Sequence, residues 1–104
     1  MIFVCGRIEL EPAHTDAFIE AISAIIETTR REKGCSIYAI ARDVVQPNVI
    51  WISEEWETEE DLYTHLATPH VADFLAKVAS LTIHSMDARK YEVSSVGPIE
   101  LPES

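Results

Sequence analysis

The sequence predicts an α+β fold of order βαββαβ, an antiparallel sheet with helices packed on one face. Three observations predict it. Apolar residues run or alternate as strands in Ile2–Leu10, Cys35–Asp43 and Val49–Trp56; a 3.6-residue apolar period fills the stretch between the first two; and Glu11-Pro12, Gly34 and Pro47 punctuate the boundaries.

After the first strand, a helix begins near His14 or Thr15. Phe18, Ile22, Ile25 and Thr29 fall on one stripe, with Ile19 and Ile26 alongside, so that stripe faces the core. Arg30-Arg31-Glu32-Lys33 puts cations at the negative end of the helix dipole, and Gly34 is expected as the C′ residue of positive φ that stops the helix. The next two strands form a hairpin through Val44–Asn48. Thr58 with Asp61 forms a capping box for a second helix, with Glu59 and Glu60 in its first turn. Thr68 as N-cap and Pro69 at the first helical position start a further piece, whose buried side is Phe74, Leu75, Val78 and Leu81. Thr82–Val96 is the last strand, bent or bulged near Ser85 to Ala88. Residues 1–96 therefore read as one domain and 97–104 as an acidic, linker-like tail.

The third strand carries information beyond its existence. Ile50, Ile52 and Trp56 point to one face and Val49 and Trp51 to the other, so neither face reads as solvated. The helices suffice for one cover. The other face is expected to meet a second copy of the sheet in a symmetric homodimer.

Composition excludes several functions. Eight Lys and Arg against eighteen Asp and Glu give a net charge of −10, which disfavours nucleic acid and anionic membrane surfaces as partners. No apolar run approaches a membrane span and the first residues are too short for a signal peptide, so a cytoplasmic location is expected. Cys5 and Cys35 lack metal or redox spacing and are expected as buried reduced thiols. The chain has three glycines and no phosphate-binding loop, and no GxSxG elbow. His65 and His70 lack the spacing of HExxH, and His14 and His84 lie elsewhere, so no metal site is expected.

Gly34-Cys35-Ser36-Ile37-Tyr38, then Asp43, Pro47, Val49-Ile50-Trp51-Ile52-Ser53-Glu54-Glu55-Trp56, and His65-Leu66-Ala67-Thr68-Pro69-His70 followed by Phe74 resemble the antibiotic biosynthesis monooxygenase family. The quinol monooxygenase branch shows these segments in the same order, and the resemblance spans nearly the whole chain. It implies a ferredoxin-like fold whose dimer packs its sheets into an α/β barrel. It also implies oxygenation of a quinol or polyphenol-like substrate by O2 without metal or organic cofactor. Haem-degrading relatives use an Asn on the first strand and a Trp on the helix; Gly6 and His65 stand there, which disfavours haem breakdown. An isomerase of a small oxygenated metabolite and a non-catalytic module binding an aromatic ligand are the alternatives.

Phenol oxygenation needs a base poised near neutrality, an apolar slot for the ring and donors for the anion. His70, in the first turn of its helix where the dipole disfavours imidazolium, is the leading base. His65, about 140° away on an unbroken helix, joins it only because Thr68-Pro69 redirects the chain. Glu54 shares a strand face with Trp56, the expected ring wall, and is expected to bond a histidine or Arg42. Tyr38 is the candidate donor, with Phe74 and Met86 as lining.

Overall fold

A computed structural model describes residues 1–102; the tail's last two residues, Glu103 and Ser104, lie outside them. The elements are β1 (Ile2–Leu10), a 3-10 turn (Pro12–His14), α1 (Thr15–Arg30), β2 (Cys35–Arg42), β3 (Val49–Trp56), α2 (Glu59–Leu66), α3 (Pro69–Val78) and β4 (Ile83–Glu92). The strands form one antiparallel sheet of order β2-β3-β1-β4. This is the ferredoxin-like arrangement.

The helices bury their stripes on one face, except that Leu75 of α3, expected on the buried side, is exposed. Phe18, Ile22 and Ile25 of α1 and Val71 and Val78 of α3 close over Ile8, Leu10 and Ile50. A second cluster of Ile2, Tyr38, Trp56 and Leu62 lies under α2. Both expected caps form, with Thr58 accepting from the Asp61 N–H and Thr68 from the Val71 N–H.

Four local expectations are corrected. α1 stops at Arg30, and a further turn intervenes before Gly34, which has φ of 82°. Gly34 closes that turn rather than the helix, and a Cβ there would collide with the Asp61 carboxylate. β2 ends at Arg42 because the Asp43 carboxylate turns back to accept from the N–H groups of Val45 and Gln46, each at 2.9 Å. β4 ends at Glu92, short of Val96, and its register with β1 slips at Glu9/Leu10, where Ser85 and Ile83 are the partners; the irregularity is at His84 rather than at Ser85 to Ala88. Cys5 and Cys35 are free thiols but partly exposed rather than buried.

The sheet face away from the helices is open in the single chain. Trp51 there is 37% exposed, with the Arg7 guanidinium 5.9 Å from its ring centroid and its Nε1–H donated to Asp43 Oδ1. No helix among the described residues is long and apolar enough to cross a membrane.

Candidate functional site

The turn after α1 creates the site's electrostatic centre. The Glu32 N–H reaches back to the Thr29 carbonyl at 3.0 Å and the Glu32 carbonyl accepts from Cys35 at 3.2 Å, which carries the Glu32 side chain off the helix and over the sheet. From the other side, His65 occupies the last turn of α2 and His70 the first turn of α3. Thr68 makes the break between them: its hydroxyl donates to the His65 carbonyl at 2.7 Å while accepting from Val71. The two imidazoles then converge, ring centroids 6.0 Å apart, on one carboxylate oxygen. Glu32 Oε2 lies 2.7 Å from His65 Nδ1 and 2.9 Å from His70 Nε2. A carboxylate only accepts, so both nitrogens donate. That places the hydrogen of a neutral His65 on Nδ1 and leaves Nε2 as the acceptor, the arrangement of a base oriented by an acid.

Trp56 supports this centre from below. It is fully buried, its ring stacks on His65 at 4.8 Å, and its Nε1–H donates to Glu54 Oε1 at 2.9 Å. Tyr38 stands opposite Glu54 in the β2–β3 register and meets the His65 ring edge-on at 5.5 Å. Burial raises the Glu54 carboxyl above its ordinary value; the Trp56 hydrogen bond and His65 oppose the shift, and Glu32 adds to it. Burial likewise raises the Tyr38 phenol, helped by the charges of Glu54 and Glu32, so that the hydroxyl remains a donor at neutral pH.

Of these groups His65, Glu54 and Tyr38 open on an apolar cleft between the sheet and the helices. One part, of about 250 Å³, is lined by Ile22, Ile25, Tyr38, Ile52, Glu54, His65, Leu66, Val71, Phe74 and Leu75. The adjoining part, of about 230 Å³, runs from the shared residues Ile52, Glu54, Phe74 and Leu75 past Gly6 to Met86 and Ala88. Gly6 sits on the central strand β1 with no side chain to fill that floor. The combination suits a flat, largely apolar molecule with one or two hydroxyl groups.

The structure brings His65, Glu54, Tyr38 and Phe74 to one cleft, with Met86 at its far end. It places three expected residues differently. Trp56 lies behind His65 and Glu54 and does not line the cleft, because β3 ends beneath α2. His70 holds Glu32 outside the cleft lining, and His65, the weaker base candidate by sequence, is the histidine on the wall. Arg42 pairs with Asp16 at 3.0 Å near the start of α1 and reaches neither histidine nor Glu54. Glu54 takes its hydrogen bond from Trp56 instead. Sequence reasoning missed Glu32, whose signal was one acid inside a run of cations. It also expected no three-ligand set, whereas Glu32, His65 and His70 offer ligand atoms all within 4.8 Å of one another. His14 and His84 are elsewhere, bonded to the Thr82 N–H and Glu11.

The fold and cleft define a small ferredoxin-like α+β protein with a Glu–His cluster beside an apolar cleft. Residues 1–77 match the family model for antibiotic biosynthesis monooxygenase, and the chain belongs to that family. It is 30% identical over 81 residues to the "Probable quinol monooxygenase YgiN" of Escherichia coli K12, covering 68% of this chain and 78% of that one. A crystal structure from Deinococcus radiodurans, named for the same family, superposes with a TM-score of 0.87 at 26% identity over 96% of this chain and 99% of that one. A conserved protein from Methanosarcina mazei shares the fold, with a TM-score of 0.80 at 22% identity over 86% and 89% of the two chains.

Proposed function

We propose that the protein oxygenates a quinol or polyphenol-like substrate with molecular oxygen, using no metal or organic cofactor for the chemistry. The observation that carries this reading is the Glu32–His65 pair opening on an apolar cleft whose other polar walls are Glu54 and Tyr38. His65 Nε2 takes the phenolic proton as Glu32 stabilises the imidazolium that forms. The quinolate ring, held against Phe74, is electron-rich enough to react with O2 at carbon. Tyr38, kept protonated by burial, donates to the developing oxyanion, and Glu54, its carboxyl raised above the ordinary value by burial, lines the same wall. The balance closes without an external reductant: a quinol and O2 give a hydroxyquinone and water, one oxygen atom entering the ring and the quinol supplying all the electrons.

The reading includes a homodimer. Its support is the open sheet face, where Trp51, Ile37 and Tyr91 remain exposed in the single chain.

Oxygen uptake with a panel of quinols under chelated conditions tests the activity; flat traces on every quinol would overturn it, and proton exchange without oxygen uptake would point to an isomerase. In the active enzyme His65→Ala is expected to lower kcat by about 10²–10⁴-fold, the worth of a positioned base. His70→Ala is expected to cost less, because it removes one of two donors from Glu32. The reverse order would return the base role to His70.

A further inference from the structure

We propose that Glu32, His65 and His70 form a binding site for a divalent first-row transition metal of the zinc class, and that its occupancy silences His65 as a base. The second half rests on the oxygenase reading above; the first does not.

Two imidazole nitrogens and one carboxylate oxygen are the donor set that selects zinc, cobalt, nickel or copper over magnesium and calcium. The three come from different elements, the turn after α1, the end of α2 and the start of α3, and still present ligand atoms within 4.8 Å of one another. Metal–ligand bonds of about 2.0–2.2 Å put the donors of a tetrahedral ion about 3.3 Å apart. The 2.7 and 2.9 Å contacts at Glu32 Oε2 therefore need to open by roughly half an ångström while the imidazole nitrogens, in a set spanning up to 4.8 Å, close toward the same separation, which takes rotations of both the Glu32 side chain and an imidazole ring.

The surroundings favour a cation. His65 is 3% exposed and Glu32 and His70 are largely covered, so a bound ion would be shielded from water. The buried Glu54 carboxyl and Tyr38 flank the same ring. The neighbouring arginines are engaged elsewhere, Arg30 with the Tyr38 carbonyl and Arg31 with Glu27, while Glu32 has only imidazole partners among the described residues. The Thr68 hydroxyl lies 3.3 Å from His70 Nε2 and holds the chain between the two histidines by donating to the His65 carbonyl and accepting from the Val71 N–H.

Occupancy has a defined chemical consequence. A metal bonded to His65 Nδ1 takes the place of the hydrogen given to Glu32, and the neutral ring then carries its hydrogen on Nε2. The nitrogen that accepted a substrate proton becomes a donor. No electron moves, and removal of the ion restores the base.

Cobalt(II) titration of the full chain reads the site directly. The expected result is one Co²⁺ per chain with visible d–d absorption, paramagnetically shifted signals from two histidines, and no displacement by excess Mg²⁺. Glu32→Gln and His70→Ala, each checked by circular dichroism, are expected to weaken binding by about a hundredfold, at or beyond the loss caused by removing a partner behind a ligand. His84→Ala, at the exposed Glu11 pair, is expected to leave it unchanged. Absence of binding at millimolar Co²⁺, shifts from fewer than two histidines, or loss of binding in His84→Ala would overturn the site. Saturating Zn²⁺ is expected to suppress quinol oxidation reversibly; full turnover with the ion bound would overturn the silencing while leaving the site. A chain that binds Co²⁺ and oxidises no quinol would remove the oxygenase reading alone.

Discussion

The two tryptophans of β3 lie five residues apart, on opposite faces of one sheet, and play opposite parts. Trp56 is fully buried; its ring carries His65 and its N–H holds Glu54. Trp51 stays at the surface, held by Asp43 and covered by Arg7. The first holds His65 and Glu54 without lining the cleft. The second keeps 37% of its surface exposed. Face assignment by strand alternation is the same simple rule for both. What separates them is depth, which depends on what packs above: α2 over Trp56, and the Arg7 side chain of the neighbouring strand over Trp51.

The largest effect that would sharpen this contrast belongs to Trp56→Ala. It is expected to cost about 3–5 kcal/mol in urea unfolding, as for other large buried aromatics, and to loosen Glu54 and His65 together. A loss below about 1 kcal/mol would show that the ring is no support. Trp51→Ala comes next. The isolated chain is expected to change by no more than about 1 kcal/mol, while association, followed by sedimentation, weakens by tenfold or more. An unchanged association constant would leave the open face without its proposed partner.

The smallest expected effect is at Glu54. Its carboxyl is raised by burial above the 4.5 of a free glutamate, so the stability linked to it is fully present below pH 4.5 and is lost as the pH rises through its folded value. Glu54→Gln keeps an acceptor for Trp56 and carries no charge to desolvate. Its melting temperature is expected to exceed that of the unaltered chain at pH 7 and to converge with it near pH 4. A difference that stays constant across that range would show that Glu54 is not the buried acid described.

The order of elements, both helix N-caps and the sidedness of β3 were legible because they depend on local rules: alternation, capping and turn residues. The cleft was half legible. Tyr38, Glu54, His65 and Phe74 lie where strand parity and the Thr68-Pro69 break lead, yet depth behind the surface does not follow from parity, so Trp56 read as a wall rather than a support. Glu32 was not legible. It meets its histidines 33 and 38 residues away, and Arg30-Arg31-Glu32-Lys33 reads fully as compensation of a helix dipole. Arg42 failed for a related reason, since its partner Asp16 comes from α1 and no pairwise rule connects them.

The short turn between Arg30 and Gly34 also makes a prediction about tolerance to length. Surface connections ordinarily accept an inserted or deleted residue with little harm. Here the strand that follows is anchored by Gly34, whose carbonyl accepts from the Glu57 N–H at 2.8 Å, and the helix before it is anchored in the core. One residue more or fewer between those anchors would be closable, yet it would swing Glu32 away from both imidazoles. This connection works as a spacer of set length, and natural variants of the chain should change its letters far more freely than its count.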